Sequence, residues 1–309
     1  MDAILFDVDG VLIDTRLSYN LAIKKTVKQV HDILSNAKTF QSVSDNILLR
    51  MRRTGGFNND TDTTYALILT SLVSQITRTK ELESLLNDVT NNIDVRGIVS
   101  VERYLSAAYS RATVEKIKRK LNYPGLIGRS IVTTIFDEVF YGTELFKQRY
   151  GNNPQYYFGD GLINNEKVVM TRDTTRFLSN RFNNNIGVVS GRSKLAFEYT
   201  LKRKLSTFNK EACIFLEDEP RNNAKPNPYG INRAMKQMHA KHVIYVGDSV
   251  EDIIMVAKAK EEMGLEVEFI GVYGSSAKPM ETRNALKQKG AGLVLWNVNK
   301  LPNILNKVM

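Results

Sequence analysis

Six short apolar runs, set apart by longer segments with a helical repeat, constrain this chain more than any other feature. They are AILFDV (3–8), NIGVVS (185–190), CIFLE (213–217), VIYVGD (243–248), VEFIGVY (267–273) and GLVLWN (292–297). Each is rich in β-branched or aromatic residues and has the length of a buried strand. Helical patterns of about 10 to 20 residues separate the last five. That alternation predicts a parallel sheet with crossover helices, a doubly wound, Rossmann-like α/β domain.

The stretch between the first run and the second has a different texture. From residue 15 to residue 164 there is helical periodicity and no convincing strand. Leu17, Leu21, Ile33 and Leu34 fall in one such segment, and Leu67, Leu72 and Ile76 in another. Leu82, Leu85 and Leu86, then Val101, Tyr104, Leu105 and Ala108, continue the pattern. The breaks TGGFNNDTD (54–62), NYPGLIG (122–128) and YGNNPQYYFGDG (150–161) read as loops. The expected organisation is an α/β core of residues 1–14 and 165–309, interrupted by an all-helical insertion of residues 15–164.

Composition removes several classes. The 309 residues contain no run approaching the roughly 18 apolar residues of a membrane helix. The start reads as strand and lacks a basic leader, so no signal peptide is expected and the location is expected to be cytoplasmic. Cys213 is the only cysteine, which excludes an internal disulfide and a thiolate zinc cluster, and its apolar run suggests a buried structural thiol. His31, His239 and His242 show no metal-ligand spacing. The formal charge of +10 suits anionic ligands, but no basic run interleaves with aromatics as a nucleic-acid platform requires. It reads as a solvated surface instead.

The strand ends carry the chemistry. The first ends in DVDG, another in VVSGR; CIFLEDEP leads into NAKPNPYG; and VIYVGDSVED closes a fourth. If the strands are parallel, Asp7, Asp9, Ser190, Lys225, Asp248 and Asp252 converge on one edge. Carboxylates gathered there repel one another unless a positive charge is supplied. A divalent cation answers that need, and a serine beside a lysine suits a phosphoryl group. A calcium loop also begins D-x-D-G, but the twelfth position from Asp7 is Ser18 rather than glutamate, and a strand precedes it.

The set DVDGV, apolar strand then Ser, Lys-Pro and GDSxxD, in that order, resembles the haloacid dehalogenase superfamily. More narrowly, it resembles the phosphatases with a helical cap inserted after the first strand, such as phosphoglycolate phosphatases. The resemblance implies a magnesium-dependent phosphatase acting on a small phosphorylated metabolite, with Asp7 attacking phosphorus to form an aspartyl-phosphate. Asp9 would protonate the leaving oxygen and later take a proton from water. Magnesium would be held by the Asp7 carboxylate, the Asp9 backbone carbonyl and Asp248. Ser190 and the Gly191 amide would bind phosphoryl oxygens, Lys225 would neutralise the transferring group, and Asp252 would hold Lys225 or a metal-bound water. Dehalogenase activity is disfavoured, because those enzymes lack the second aspartate that this chain keeps as Asp9. A sugar phosphomutase shares the same site and is the alternative enzyme. A non-catalytic anion or nucleic-acid binder is the alternative from another class, and it has no reason to keep the four charges of Asp7, Asp9, Lys225 and Asp248 together.

Some positions carry two readings. Ser190 would also serve as a helix N-cap, and Ser249 with Asp252 forms a capping-box pattern. Glu217 and Asp218 read either as supports for the lysine loop or as solvated residues. Arg192 reads either as a phosphate contact or as a surface arginine. The loop with Gly55, Gly56, Asn58, Asn59 and Asp60, flanked by Arg52 and Arg53, reads as a substrate-specificity element or as an ordinary connection.

Overall fold

The computed structural model describes residues 2–35, 42–57, 59–183 and 185–306, apart from the side chain of Arg203. The chain divides into two compact units, one of Met1–Arg16 with Glu166–Met309 and the other of Leu17–Asn165. Strands β1 (Ala3–Phe6) and β2 (Ile13–Asp14) open the first unit, and the chain then enters the second.

The second unit is helical: α1 (Tyr19–Leu34), α2 (Asp45–Arg53), α3 (Asp60–Thr77), α4 (Leu82–Asn92), α5 (Ile98–Leu105), α6 (Arg111–Leu121) and α7 (Ile131–Tyr150). Helix α3 is its axis and packs against α1, α4, α5, α6 and α7. Its side chains from Thr63 to Ser74 are accordingly buried all round rather than along one stripe. The buried face of α1 is Ala22, Ile23, Val27 and Val30. Leu17, Ile33 and Ile76, expected in the apolar stripes, are instead 53%, 48% and 55% exposed, because the packing follows neighbouring residues one or more positions away. Tyr19 stacks on Phe140 with ring centroids 4.3 Å apart, joining α1 to α7.

Two adjacent acids on α7 are buried in different ways. Glu138 accepts backbone N–H groups from Gln155, Tyr156 and Tyr157 at 2.6, 2.7 and 2.8 Å, which fixes the following loop to the helix. Three donors compensate a buried carboxylate well. Asp137 accepts a hydrogen bond from the Tyr150 hydroxyl. Burial pushes its carboxyl up to about 6, against the pull of Tyr150 and Arg149 and with the repulsion of Glu138 added.

The chain then returns to the core through β3 (Lys167–Val168), α8 (Arg172–Phe182), β4 (Ile186–Ser190), α9 (Lys194–Leu201), β5 (Cys213–Phe215), α10 (Tyr229–Gln237), β6 (His242–Gly247), α11 (Val250–Met263), β7 (Glu266–Val272), α12 (Pro279–Gln288), β8 (Leu293–Leu295) and α13 (Leu301–Leu305). Six strands form one parallel sheet in the order β5-β4-β1-β6-β7-β8. The fold is the expected doubly wound α/β core with a helical insertion. The chain builds outward from β1 to β4 and β5, then crosses back to β6 on the other side of β1. That reversal makes the carboxyl ends of β4, β1 and β6 a topological switch point.

The two faces of β1 show why its four residues are all apolar. Ala3 and Leu5 pack with Ile231, Met235, Met255 and Val256 of α10 and α11. Ile4 and Phe6 pack with Leu178, Phe182, Phe197 and Leu201 of α8 and α9 and Leu301 of α13. The segments that lead into and out of the helical insertion pair with each other. Ile13 lies opposite Val168, and Asp14 opposite Lys167, in a short antiparallel ladder. No helix among the described residues is long and apolar enough to cross a membrane.

A carboxyl raised by folding favours the native state at acid pH, and that contribution is lost as pH rises through its folded value. Stability should therefore fall between about pH 4 and about pH 6 by up to ~3 kcal/mol on account of Asp137. Thermal unfolding of Asp137→Asn against the parent across that window should show this component flattened in the variant.

Candidate active site

Strand β1 stays in register to its last bonds: the Asp7 amide donates to the Val246 carbonyl at 2.9 Å. The chain then folds into a tight turn, in which the Leu12 and Ile13 amides both donate to the Val8 carbonyl, at 2.8 and 3.0 Å. Gly10 closes this turn with φ +77°, and a Cβ there would lie 1.9 Å from Asp248 Oδ2. The DVDG glycine is thus required twice, by its backbone and by the carboxylate lying over it.

Asp7 is buried at that strand end. Its Oδ2 lies 2.8 Å from Lys225 Nζ, and its Oδ1 accepts the Val8 amide at 2.7 Å. Lys225 reaches in from the loop before α10 and also touches Asp252 Oδ1 at 2.7 Å. Asp252 stands at the start of α11 and is saturated. Its Oδ2 accepts from the Asp248 and Ser249 amides at 3.2 and 3.1 Å and from Ser249 Oγ at 2.8 Å. Tyr245 Oη lies 3.1 Å from Asp252 Oδ1 and 2.9 Å from the Val189 carbonyl. Gly247 leaves room for this reach, since a Cβ there would meet Asp252 Oδ2 at 2.5 Å.

Electrostatics follow from this packing. Burial alone would lower the Lys225 ammonium, but Asp252 and Asp7 outweigh it and hold the lysine well above its ordinary value. Burial pushes the Asp7 carboxyl up, against the opposing pull of Lys225 and the Ser190 hydroxyl. One lysine shared by two carboxylates leaves Asp7 short of positive charge. Asp7, Asp248 and Asp252 each offer an oxygen within 4.8 Å of the others. With Asp252 already saturated, Asp7 and Asp248 are the carboxylates able to hold a cation. An all-oxygen pair of this kind fits a hard divalent ion such as magnesium.

Ser190, the last residue of β4, is fully buried beside Asp7. Gly191 follows in an exposed turn before α9. The N-cap of α9 is Ser193 rather than Ser190, its Oγ accepting the Ala196 amide at 3.2 Å. Arg192 is neither a surface residue nor open to a phosphate: it is wholly buried, ion-paired with Glu166 at 2.5 Å and with Asp9 at 2.8 Å. Sequence reasoning missed Glu166 and Tyr245. Glu166 carries no local signal, whereas a lone tyrosine in the apolar run VIYVGD was a visible cue for a buried hydroxyl with partners.

A haloacid dehalogenase-like hydrolase family model matches residues 1–260. The chain belongs to that family. Among solved structures, this hydrolase is similar to a phosphatase from Thermococcus thioreducens, with 23% identity, 92% of this chain and 98% of that one covered, and a TM-score of 0.58. It is also similar to a predicted phosphoglycolate phosphatase from Haemophilus somnus, with 12% identity, coverage of 99% and 98%, and a TM-score of 0.51. A conserved haloacid dehalogenase-like protein from Agrobacterium tumefaciens shares 15% identity over 100% of this chain and 99% of its own, with a TM-score of 0.52. At these identities the likeness is one of fold. No protein of curated function matches the sequence.

The loop considered for specificity has structural employment inside the helical unit of the hydrolase. Asn59 caps α3, its side chain accepting the Asp62 amide at 2.9 Å. Arg52 pairs with Asp60 at 2.7 Å and donates to Asn20 at 2.9 Å. A Cβ on Gly56 would strike the Asp94 carbonyl at 2.6 Å, so that glycine serves close backbone packing. Arg53 is half-buried, and Asn58 lies outside the described residues. In the core, Asp218 accepts the Lys194 amide at 2.8 Å at the start of α9, whereas Glu217 is exposed. Cys213 is partly buried, and burial pushes its thiol up to about 12.

Lys225→Met would leave Asp7 and Asp252 as adjacent buried carboxylates. Removing one partner of such a set should cost about 3–5 kcal/mol at neutral pH. Because the Asp7 carboxyl would then rise further, the loss should shrink as pH falls from neutral. Urea unfolding of the variant at several pH values checks both size and sign.

Proposed function

We propose that this hydrolase is a magnesium-dependent phosphatase that cleaves a small phosphate monoester through an aspartyl-phosphate on Asp7. The observation that carries the reading is the buried Asp7 carboxylate at the sheet's switch point, with the Lys225 ammonium at 2.8 Å and the Ser190 hydroxyl beside it. Phosphoryl transfer is mostly a matter of positioning and charge compensation, which is what this group of side chains supplies.

Asp7, Asp248 and the Asp9 backbone carbonyl would hold the magnesium, whose charge would complete the compensation of Asp7 and of the phosphoryl oxygens. The Ser190 hydroxyl and the Gly191 amide orient the phosphoryl group, and Lys225 offsets the charge that develops on it. An oxygen of Asp7 attacks phosphorus as the ester P–O bond breaks. Asp9 gives its proton to the departing oxygen, releasing an alcohol. A water then attacks phosphorus while Asp9 takes its proton. The bond from phosphorus to Asp7 breaks, and inorganic phosphate leaves with both aspartates restored. Asp252, saturated by its own hydrogen bonds, fixes Lys225 instead of reacting.

Two measurements test this. Asp7→Asn should retain the fold by circular dichroism while phosphate release falls by about four orders of magnitude or more. Chelation should abolish release from a panel of sugar and polyol phosphates, and added magnesium should restore it. The expected product is free phosphate; an isomerised sugar phosphate without phosphate release would contradict the hydrolytic reading.

A further inference from the structure

Arg192 is a wholly buried arginine two residues beyond Ser190, and its guanidinium is fixed from several directions. Nη1 donates to Glu166 Oε1 at 3.0 Å and Nη2 to Glu166 Oε2 at 2.5 Å, a planar two-pronged pair. Nη2 also approaches the Ala196 carbonyl at 3.2 Å and Thr200 Oγ1 at 3.0 Å, one turn apart on α9. Thr200 Oγ1 in turn donates to Glu166 Oε2 at 2.6 Å. With so many contacts setting the plane, the second hydrogen of Nη1 is aimed at Asp9 Oδ1, 2.8 Å away.

Glu166 is anchored too. It directly precedes β3, whose ladder with β2 ties it to the turn that carries Asp9. A buried arginine–glutamate pair contributes little net stability over an apolar replacement. What this pair adds is direction, because it holds a rigid N–H donor against the side chain that must meet the leaving oxygen. The Asp9 side chain is 27% exposed, so one edge of it faces the site while Arg192 holds Oδ1 from the buried side.

We propose that Arg192, held by Glu166 and Thr200, is a positioning residue that fixes the Asp9 carboxyl group through Oδ1 for proton transfer to the leaving group. The proposal rests on the phosphatase reading. It makes a distinction that general damage to the fold does not: poor leaving groups need the proton and good ones do not. A misplaced Asp9 therefore slows alkyl esters selectively in kcat/KM, which reports the steps through leaving-group departure.

The experiment compares glycerol phosphate with para-nitrophenyl phosphate for the unaltered protein, Arg192→Lys, Glu166→Gln and Thr200→Val, each checked for folding by thermal melt. Arg192→Lys should lower kcat/KM for glycerol phosphate by about 100-fold and for the nitrophenyl ester by under about 3-fold. Glu166→Gln and Thr200→Val should show the same selectivity at about 10-fold and about 3-fold on the alkyl ester, and they carry the test if Arg192→Lys does not fold. On an Asp9→Asn background, Arg192→Lys should add no further discrimination between the esters. Equal losses on both esters, or a gain in rate, would overturn the positioning role and leave the phosphatase reading standing. No hydrolysis of either ester by the unaltered protein would overturn that reading and the inference with it.

Discussion

A lysine ammonium held between two buried carboxylates is the interaction on which the switch-point end of the sheet depends. Lys225 ties together three parts of the chain: the end of β1 through Asp7, the start of α11 through Asp252, and the loop before α10 from which it comes. None of these charges would tolerate its position alone, since an unpaired ion away from water costs several kcal/mol. Together they define where each backbone segment must end. The count is also unequal, with one ammonium for two carboxylates and a third, Asp248, close by. On the proposed reading, a divalent cation and the phosphoryl group it accompanies would complete this balance.

Burial alone does not mark a reactive carboxylate, and three acids in this chain show why. Glu138 is buried but saturated by backbone amides, and it works as a fastener for a loop. Asp252 is buried and saturated by a lysine, a serine and two amides, so it works as a support. Asp7 has fewer compensating partners than its burial demands, and its carboxyl is pushed up accordingly. That imbalance between burial and compensation separates Asp7 from Glu138 and Asp252; Asp137 shares it, and what sets Asp7 apart from Asp137 is its place at the switch point beside Lys225.

Much of this was legible in the sequence because it is written locally. A strand-length apolar run followed by DVDG states a buried strand and a sharp exit, and GDSVED states a strand followed by a capped helix. The convergence of Asp7, Ser190, Lys225 and Asp252 needed one further step, parallel pairing, which the alternation of strands and helices supplied. Arg192 and Glu166 were not legible as a pair. They are far apart along the chain, and whether an arginine after a strand is buried depends on what α9 and β3 place around it. The exposure of Leu17, Ile33 and Ile76 has a similar cause. Helical spacing locates a helix, but the face it buries is chosen by neighbours the spacing does not name.

The pairing of Asp14 with Lys167 means that the outgoing and returning ends of the insertion leave the core side by side. For the parallel sheet, the roughly 150 residues between them act as a long excursion whose entry and exit are already stapled at the base. The core's register is then indifferent to the size of what is spliced in. A helical module can lengthen, shorten or be exchanged during evolution without moving the strand that carries Asp7, provided its two ends still meet at that staple.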